Sequence, residues 1–190
     1  MGELDNYKFD HKKMVRKILY IAIAVLVAVI LLVVGLEVFS SYPNEAIVYN
    51  TKAPVQSVKS IIVHASAKKT WTIMSDVNNW ETWESDNKSP VLKGAFKPGN
   101  SFTWKSNGLS IHSNIKVAEP YSKIAWSGPA FGCFAIHTWA FTELPNGNTR
   151  VDVKESMQGW LVSLMTNKFQ TGLDASLNKW LSSLKSRAEK

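Results

Sequence analysis

The chain is 190 residues long and 45% hydrophobic, with a net charge of +7, one cysteine and four histidines. That length allows one ordinary domain with an appendage, and the apolar content excludes a globally disordered chain. The lone Cys133 excludes an intramolecular disulfide. Up to Asn50 the charges cancel, Lys8, Lys12, Lys13, Arg16 and Lys17 standing against Glu3, Asp5, Asp10, Glu37 and Glu45, so the basic excess belongs to the rest of the chain. There Arg150 and Arg187 are the only arginines and no nucleic-acid motif occurs, so no nucleic-acid partner is expected.

In chain order, residues 1–17 form a basic N-terminus and residues 18–38 read as a transmembrane helix. Ile18 to Leu36 carries no charge, and about 19 residues at a rise of 1.5 Å cross roughly 28 Å, close to the thickness of a hydrocarbon core. A cleaved signal peptide would have a shorter apolar region ending in small residues. Gly35-Leu36-Glu37-Val38-Phe39 is a poor cleavage site, so an uncleaved anchor is expected. Lys12, Lys13, Arg16 and Lys17 precede the span and no cation follows it until Lys52. The positive-inside rule then puts the N-terminus in the cytoplasm and the C-terminal domain outside. Residues 39–54, with Pro43, Asn44, Asn50 and Pro54, read as a short polar tether that keeps the domain near the membrane.

Residues 55–190 read as one α+β domain. Gln56–His64 is rich in β-branched residues and reads as a strand. Ser66 offers an N-cap to a short helix over 67–74. A second helical turn over 76–84 carries Trp80 and Trp83 on one side. Turn residues at Gly94, Pro98-Gly99-Asn100, Asn107-Gly108, Pro120, Gly128-Pro129 and Pro145 to Asn148 then separate short runs. The runs are 101–105, 109–118, 123–127, 133–143 and 149–155, an antiparallel meander. After Gly159, apolar residues from Leu161 to Leu184 recur at steps of three and four, a long amphipathic helix with a kink expected at Gly172. Its apolar face needs the sheet as a partner.

This order, with Ile62-Val63-His64-Ala65-Ser66-Ala67 before Thr70-Trp71, Asn79-Trp80-Glu81-Thr82-Trp83, Phe96-Lys97-Pro98-Gly99, Lys123-Ile124-Ala125-Trp126, His137-Thr138-Trp139, Glu155 and Gly159, resembles the SRPBCC or START-like superfamily in its polyketide cyclase/dehydrase-like branch. The resemblance covers about Val58 to Lys190. It implies a helix-grip fold, a curved antiparallel sheet around a long C-terminal helix with two short helices after the first strand. It also implies a deep, mostly apolar cavity that takes lipids, sterols, polyketides or hormones, with cyclisation or dehydration in a minority of members.

Eight tryptophans, all in the domain, supply aromatic walls. The candidate ligand-binding residues are Trp80, Trp83, Trp104, His112, Trp126, His137, Trp139, Met157, Leu161 and Met165, with Trp71 and Trp180 assigned to the core. Along 133–143, His137, Trp139 and Phe141 share one face and Phe134, Ile136 and Thr138 the other. Along 109–118, Ile111, Ile115 and Val117 oppose His112 and Asn114. Both faces are partly apolar, so the pattern leaves the inner one open. The histidines have no metal-ligand spacing, and no phosphate or dinucleotide fingerprint occurs, so neither a metal nor a cofactor is expected. His137 and Glu155 are the candidate acid and base for a cyclase-like reaction. Three readings result: membrane-tethered binding of a hydrophobic small molecule or lipid, an enzyme on a hydrophobic substrate, and a protein-interaction domain at the membrane surface.

Overall fold

The computed structural model describes residues 2–42, 49–106 and 108–190; Pro43, Asn44 and Glu45 of the expected tether and Asn107 of an expected turn lie outside them. The chain divides into a unit ending at Ser40 and a second unit, Ser41–Lys190. The first is a single helix, α1 (Gly2–Val38). Within it His11–Val38 has a mean hydropathy of 3.2 in its most apolar window and no buried residue there, the length and apolarity of a membrane span or of a signal sequence.

The second unit is built on a seven-stranded antiparallel sheet, β1 (Val55–Val63), β2 (Lys88–Leu92), β3 (Ser101–Ser106), β4 (Leu109–Glu119), β5 (Lys123–Ala130), β6 (Cys133–Glu143) and β7 (Thr149–Gln158), in the order β1-β7-β6-β5-β4-β3-β2. Strands β2 to β7 therefore follow one another as hairpins, and β1 closes the sheet beside β7. β2 has no counterpart in the sequence expectation. It is five residues long, contains Pro90, and turns through Ser89 at φ 48°, so no alternation marks it.

Between β1 and β2 lie α2 (Ala67–Ser75) and a 3-10 turn, Val77–Thr82. Ser66 caps α2, its Oγ accepting from the Lys69 N–H at 3.2 Å, as the Ser/Thr/Asn/Asp preference of this position requires. Trp80 lies in the core and Trp83 packs against it, to different depths. Trp83 lies just past the 3-10 turn, its φ of −132° leaving the helical region, so it stays half-buried while Trp80 is fully enclosed.

The expected long helix is two: α3 (Trp160–Leu164) and α4 (Thr166–Ala188). The break falls at Met165, φ −126° and ψ 36°, and α4 runs unbroken through Gly172. Leu173, Leu177, Trp180, Leu181 and Leu184 form the buried stripe of α4. Its polar flank grips the sheet edge. Gln170 receives the Gln56 N–H and donates to the Gln56 carbonyl, and Asp174 accepts from Ser57 Oγ at 2.6 Å and pairs with Lys59 at 2.8 Å.

The core under α4 is aromatic. The Trp80 ring lies 5.3 to 5.9 Å from those of Phe102, Trp104, Trp126 and Trp180, and its indole N–H donates to the Met74 carbonyl. Each ring removes a large apolar area from water, and truncating one to alanine costs about 3–5 kcal/mol.

Candidate functional site

Cross-strand register settles which faces line the space under α4. His137 pairs with Trp126 on β5 and with Glu155 on β7, and Trp139 with Ile124 and Val153. The odd-numbered residues of β6 therefore face α4, and Phe134, Ile136 and Thr138 face away. On β4 a bulge between Ile115 and Val117 changes the parity, so Val117 opposes Ala125 on the outer face while Ala118 opposes Ile124 on the inner one. The expected grouping of Val117 with Ile115 fails for that reason.

Between α4 and this inner face lies a cavity of about 500 Å³. Gly128, Ala130 and Ala135 line it with little side-chain volume; at Gly128 an added Cβ would strike the His112 carbonyl oxygen of β4 at 1.8 Å, so that glycine serves the close approach of the two strands. The cavity's inner end is walled by Trp104, Trp180, His137 and Glu155, and its outer end by Leu161, Met165, Phe169 and Lys168. A broader depression of about 580 Å³ between α2 and the C-terminus, lined by Lys68, Lys69 and Arg187 among others, opens widely to solvent and contains neither an aromatic nor a buried ionisable group. The cavity under α4, the more enclosed of the two, is the candidate site, since concavity and convergent polar groups mark a small-molecule site.

The inner end carries the chemistry. His137 Nδ1 lies 2.9 Å from Glu155 Oε2, with both side chains nearly removed from solvent at 7% and 6% exposure. The ring N–H and carboxylate are not aligned for a hydrogen bond, so the two polar groups are in close contact without one. Trp126 stacks on His137, ring centroids 4.9 Å apart and planes 19° from parallel, which fixes the imidazole. Trp104 donates its indole N–H to Ser113 Oγ at 3.0 Å. The indole N–H of Trp180 has no acceptor among the described residues. Burial pushes the Cys133 thiol up to about 12, and the negative charge of Glu155 adds to the shift. Cys133 therefore stays a protonated, apolar part of the wall and is not a nucleophile.

Of the ten residues expected at a ligand site, Trp104, His137, Met157, Leu161 and Met165 line the cavity, as does Glu155. Trp80, Trp126 and Trp139 lie behind the wall, fully buried among one another. Trp83 lines a separate surface depression with Ser182 and Arg187. His112 is exposed on the opposite face of the sheet, because its even position on β4 points it away from α4. Trp180, assigned to the core, is both core and cavity wall. The small lining residues and Lys168 were missed. Glycine and alanine at alternate positions of two adjacent β-strands, 128, 130 and 135, were the available signal.

Among the described residues no group of three or more possible metal ligands occurs.

The family model described as polyketide cyclase/dehydrase and lipid transport matches residues 54–189. A hypothetical protein of Helicobacter pylori superposes with a TM-score of 0.67 at 16% identity, covering 78% of this chain and 99% of that one. A START superfamily protein from Mycobacterium smegmatis gives 0.62 at 14% identity, over 70% and 97%. The Zhui aromatase/cyclase of a Streptomyces species gives 0.64 at 11% identity, over 70% and 93%. At these identities the likeness is one of fold. No curated protein sequence matches significantly.

Proposed function

The chain belongs to the polyketide cyclase/dehydrase and lipid transport family, and from that membership and its cavity we propose that it binds a hydrophobic small molecule or lipid while tethered to a membrane by α1. The observation that carries this reading is the cavity of about 500 Å³ between α4 and the inner face of the sheet, lined by the small residues Gly128, Ala130 and Ala135 and by apolar side chains. An apolar body fits against Leu161, Met165 and Phe169, and its removal from water supplies roughly 25 cal/mol per Å² buried. The His137–Glu155 pair at the inner end suits a ligand with one polar group there, and Lys168 suits an acidic or phosphorylated group at the mouth. Tethering through α1, with the N-terminus on the cytoplasmic side, keeps such a binder where apolar ligands are concentrated. The test is organic extraction and mass spectrometry of the full chain purified in lipid nanodiscs. A stoichiometric hydrophobic molecule that is absent from empty nanodiscs supports the reading. Its absence, together with no binding from a panel of lipids and isoprenoids, overturns it.

A second reading is favoured by one observation, the buried 2.9 Å contact of His137 with Glu155. An imidazole and a carboxylate shielded from water can take a proton from a bound substrate and return it, as cyclisation and dehydration require. On this reading Glu155→Gln abolishes turnover and leaves ligand affinity nearly unchanged. Equal loss of both would leave simple binding.

A further inference from the structure

At the mouth of the cavity, aromatic and aliphatic side chains are held out into solvent. Phe131, in the β5–β6 turn, is 46% exposed and Leu164, on α3, is 75% exposed. No other large apolar residue described from Tyr49 onward is as exposed as Leu164. Trp160 meets Phe131 edge-on, ring centroids 5.4 Å apart. The opposite side of the short α3 turns inward, and Leu161 lines the cavity.

This tip is pinned. Gly132 has φ +65°, and a Cβ there would come within 2.5 Å of Leu161 Cβ. Gly159 has φ +132°, and a Cβ there would sit 2.3 Å from the Gly132 carbonyl oxygen. The Leu161 N–H donates to that same oxygen at 3.1 Å. Two glycines in close approach thus lock the β5–β6 turn to the start of α3, and the exposed apolar groups are fixed features of the fold.

Charge and chain path point to one occupant. From Ile124 to Thr142 there is no lysine, arginine or carboxylate, and from Ser156 to Leu173 the only charged residue is Lys168, on the cavity rim. Lys52 lies just before β1, whose Val55 pairs with Met157 of the lining. The rim is apolar and cationic. Tyr42 and Asn50, both in the second unit, lie at this end of the sheet. Tyr42 stacks on Phe134, and Asn50 hydrogen-bonds Ser156 and Gln158, the last residue before Gly159. Aromatic and leucine side chains flanked by lysine match the interface of a bilayer with anionic headgroups. Three side chains are far fewer than the roughly 20–30 residues a side of a stable protein interface. For a tethered domain a weak contact suffices, because the anchor keeps its effective concentration high.

We propose that Phe131, Trp160 and Leu164 form a bilayer-docking tip that seats the cavity mouth in the headgroup region of a membrane containing anionic lipid. The proposal rests on α1 as the anchor but not on a ligand in the cavity. The test uses the full chain with Cys133→Ser and a nitrobenzoxadiazole fluorophore on Leu164→Cys, reconstituted into vesicles of three parts phosphatidylcholine to one part phosphatidylglycerol. The reference carries the fluorophore on Asn146→Cys, in the β6–β7 turn at the far end of β6. The expected result is blue-shifted emission at 164, quenched severalfold more than at 146 by an acyl-chain spin-labelled lipid, and reduced towards the 146 level by Phe131→Asp. Vesicle flotation with equal quenching at 164 and 146 overturns the tip and leaves the anchor standing. A blue shift at 164 without lipid quenching means a protein contact and also overturns it. Failure of the chain to float with the vesicles contradicts anchor and tip together.

Discussion

His137 on β6 and Glu155 on β7 are cross-strand partners whose polar ends meet at 2.9 Å, Nδ1 to Oε2, beneath the stacked ring of Trp126. Almost no solvent reaches either side chain. Removing one partner leaves the other polar among apolar neighbours, whereas replacing both removes the problem. His137→Phe is therefore expected to lower stability by about 3 kcal/mol, and adding Glu155→Leu to recover most of that loss. Urea unfolding of the two single variants and the double one reads this directly. Additive losses would mean that the pair is not energetically coupled.

Cys133 offers a probe of cavity burial. Its thiol stands at about 12, because desolvation and the Glu155 carboxylate both oppose the thiolate. At pH 8 its thiolate fraction is on the order of a thousandfold below that of a free cysteine. Iodoacetamide should accordingly leave the folded chain almost unlabelled and react readily once the chain is unfolded in urea. Rapid labelling of the folded protein would show that the cavity wall opens.

Asp174 ties α4 to β1 and gives the fold an acid limit. Hydrogen bonds from Lys59, Ser57 and Gln170, in that order of effect, lower its carboxyl to about 2. A lowered acid pKa means that the unfolded chain binds the proton first as pH falls. The contribution of Asp174 is thus complete above the ordinary carboxylate range and is lost as pH falls towards 2. Asp174→Asn should lower the melting temperature at pH 7, with the difference shrinking between pH 4 and pH 2. A gap that persists at pH 2 would assign its effect to packing.

Much of this architecture is legible in the sequence, and the failures have physical causes. The apolar spacing from Leu161 to Leu184 marks helix, but not the break at Met165, which follows from that residue's backbone angles and not from any glycine or proline. Turn residues mark five of the seven strands and β-branched content marks β1, while β2, short and proline-containing, escapes. Alternation could not choose between the faces of β6 because both are buried. Trp139 lies under α4, while Phe134 and Ile136 are covered on the other side, where Tyr42 stacks on Phe134. For the site, tryptophan content is a guide to the core more than to the ligand. Trp80, Trp126 and Trp139 pack on one another, and the open volume stands where the strands carry Gly128, Ala130 and Ala135. Residues 42 and 49–50, read as part of a short polar tether, are attached to the sheet by Tyr42 and Asn50, whose partners lie more than ninety residues away in sequence.

The most direct test of the central claim separates cavity volume from stability. Gly172 lines the cavity within α4, and an added Cβ there meets nothing within 4 Å. Glycine in a helix interior is less favourable than other residues by several tenths of a kcal/mol, so Gly172→Trp should fold at least as stably as the parent chain while its indole occupies the cavity mouth. The measurement is the molar ratio of co-purified hydrophobic molecule to protein, by mass spectrometry, for both chains in nanodiscs. The expected result is a stoichiometric ligand on the parent chain and its loss from Gly172→Trp with the melting temperature preserved. Equal retention by the two chains would place the ligand outside this cavity and contradict the account.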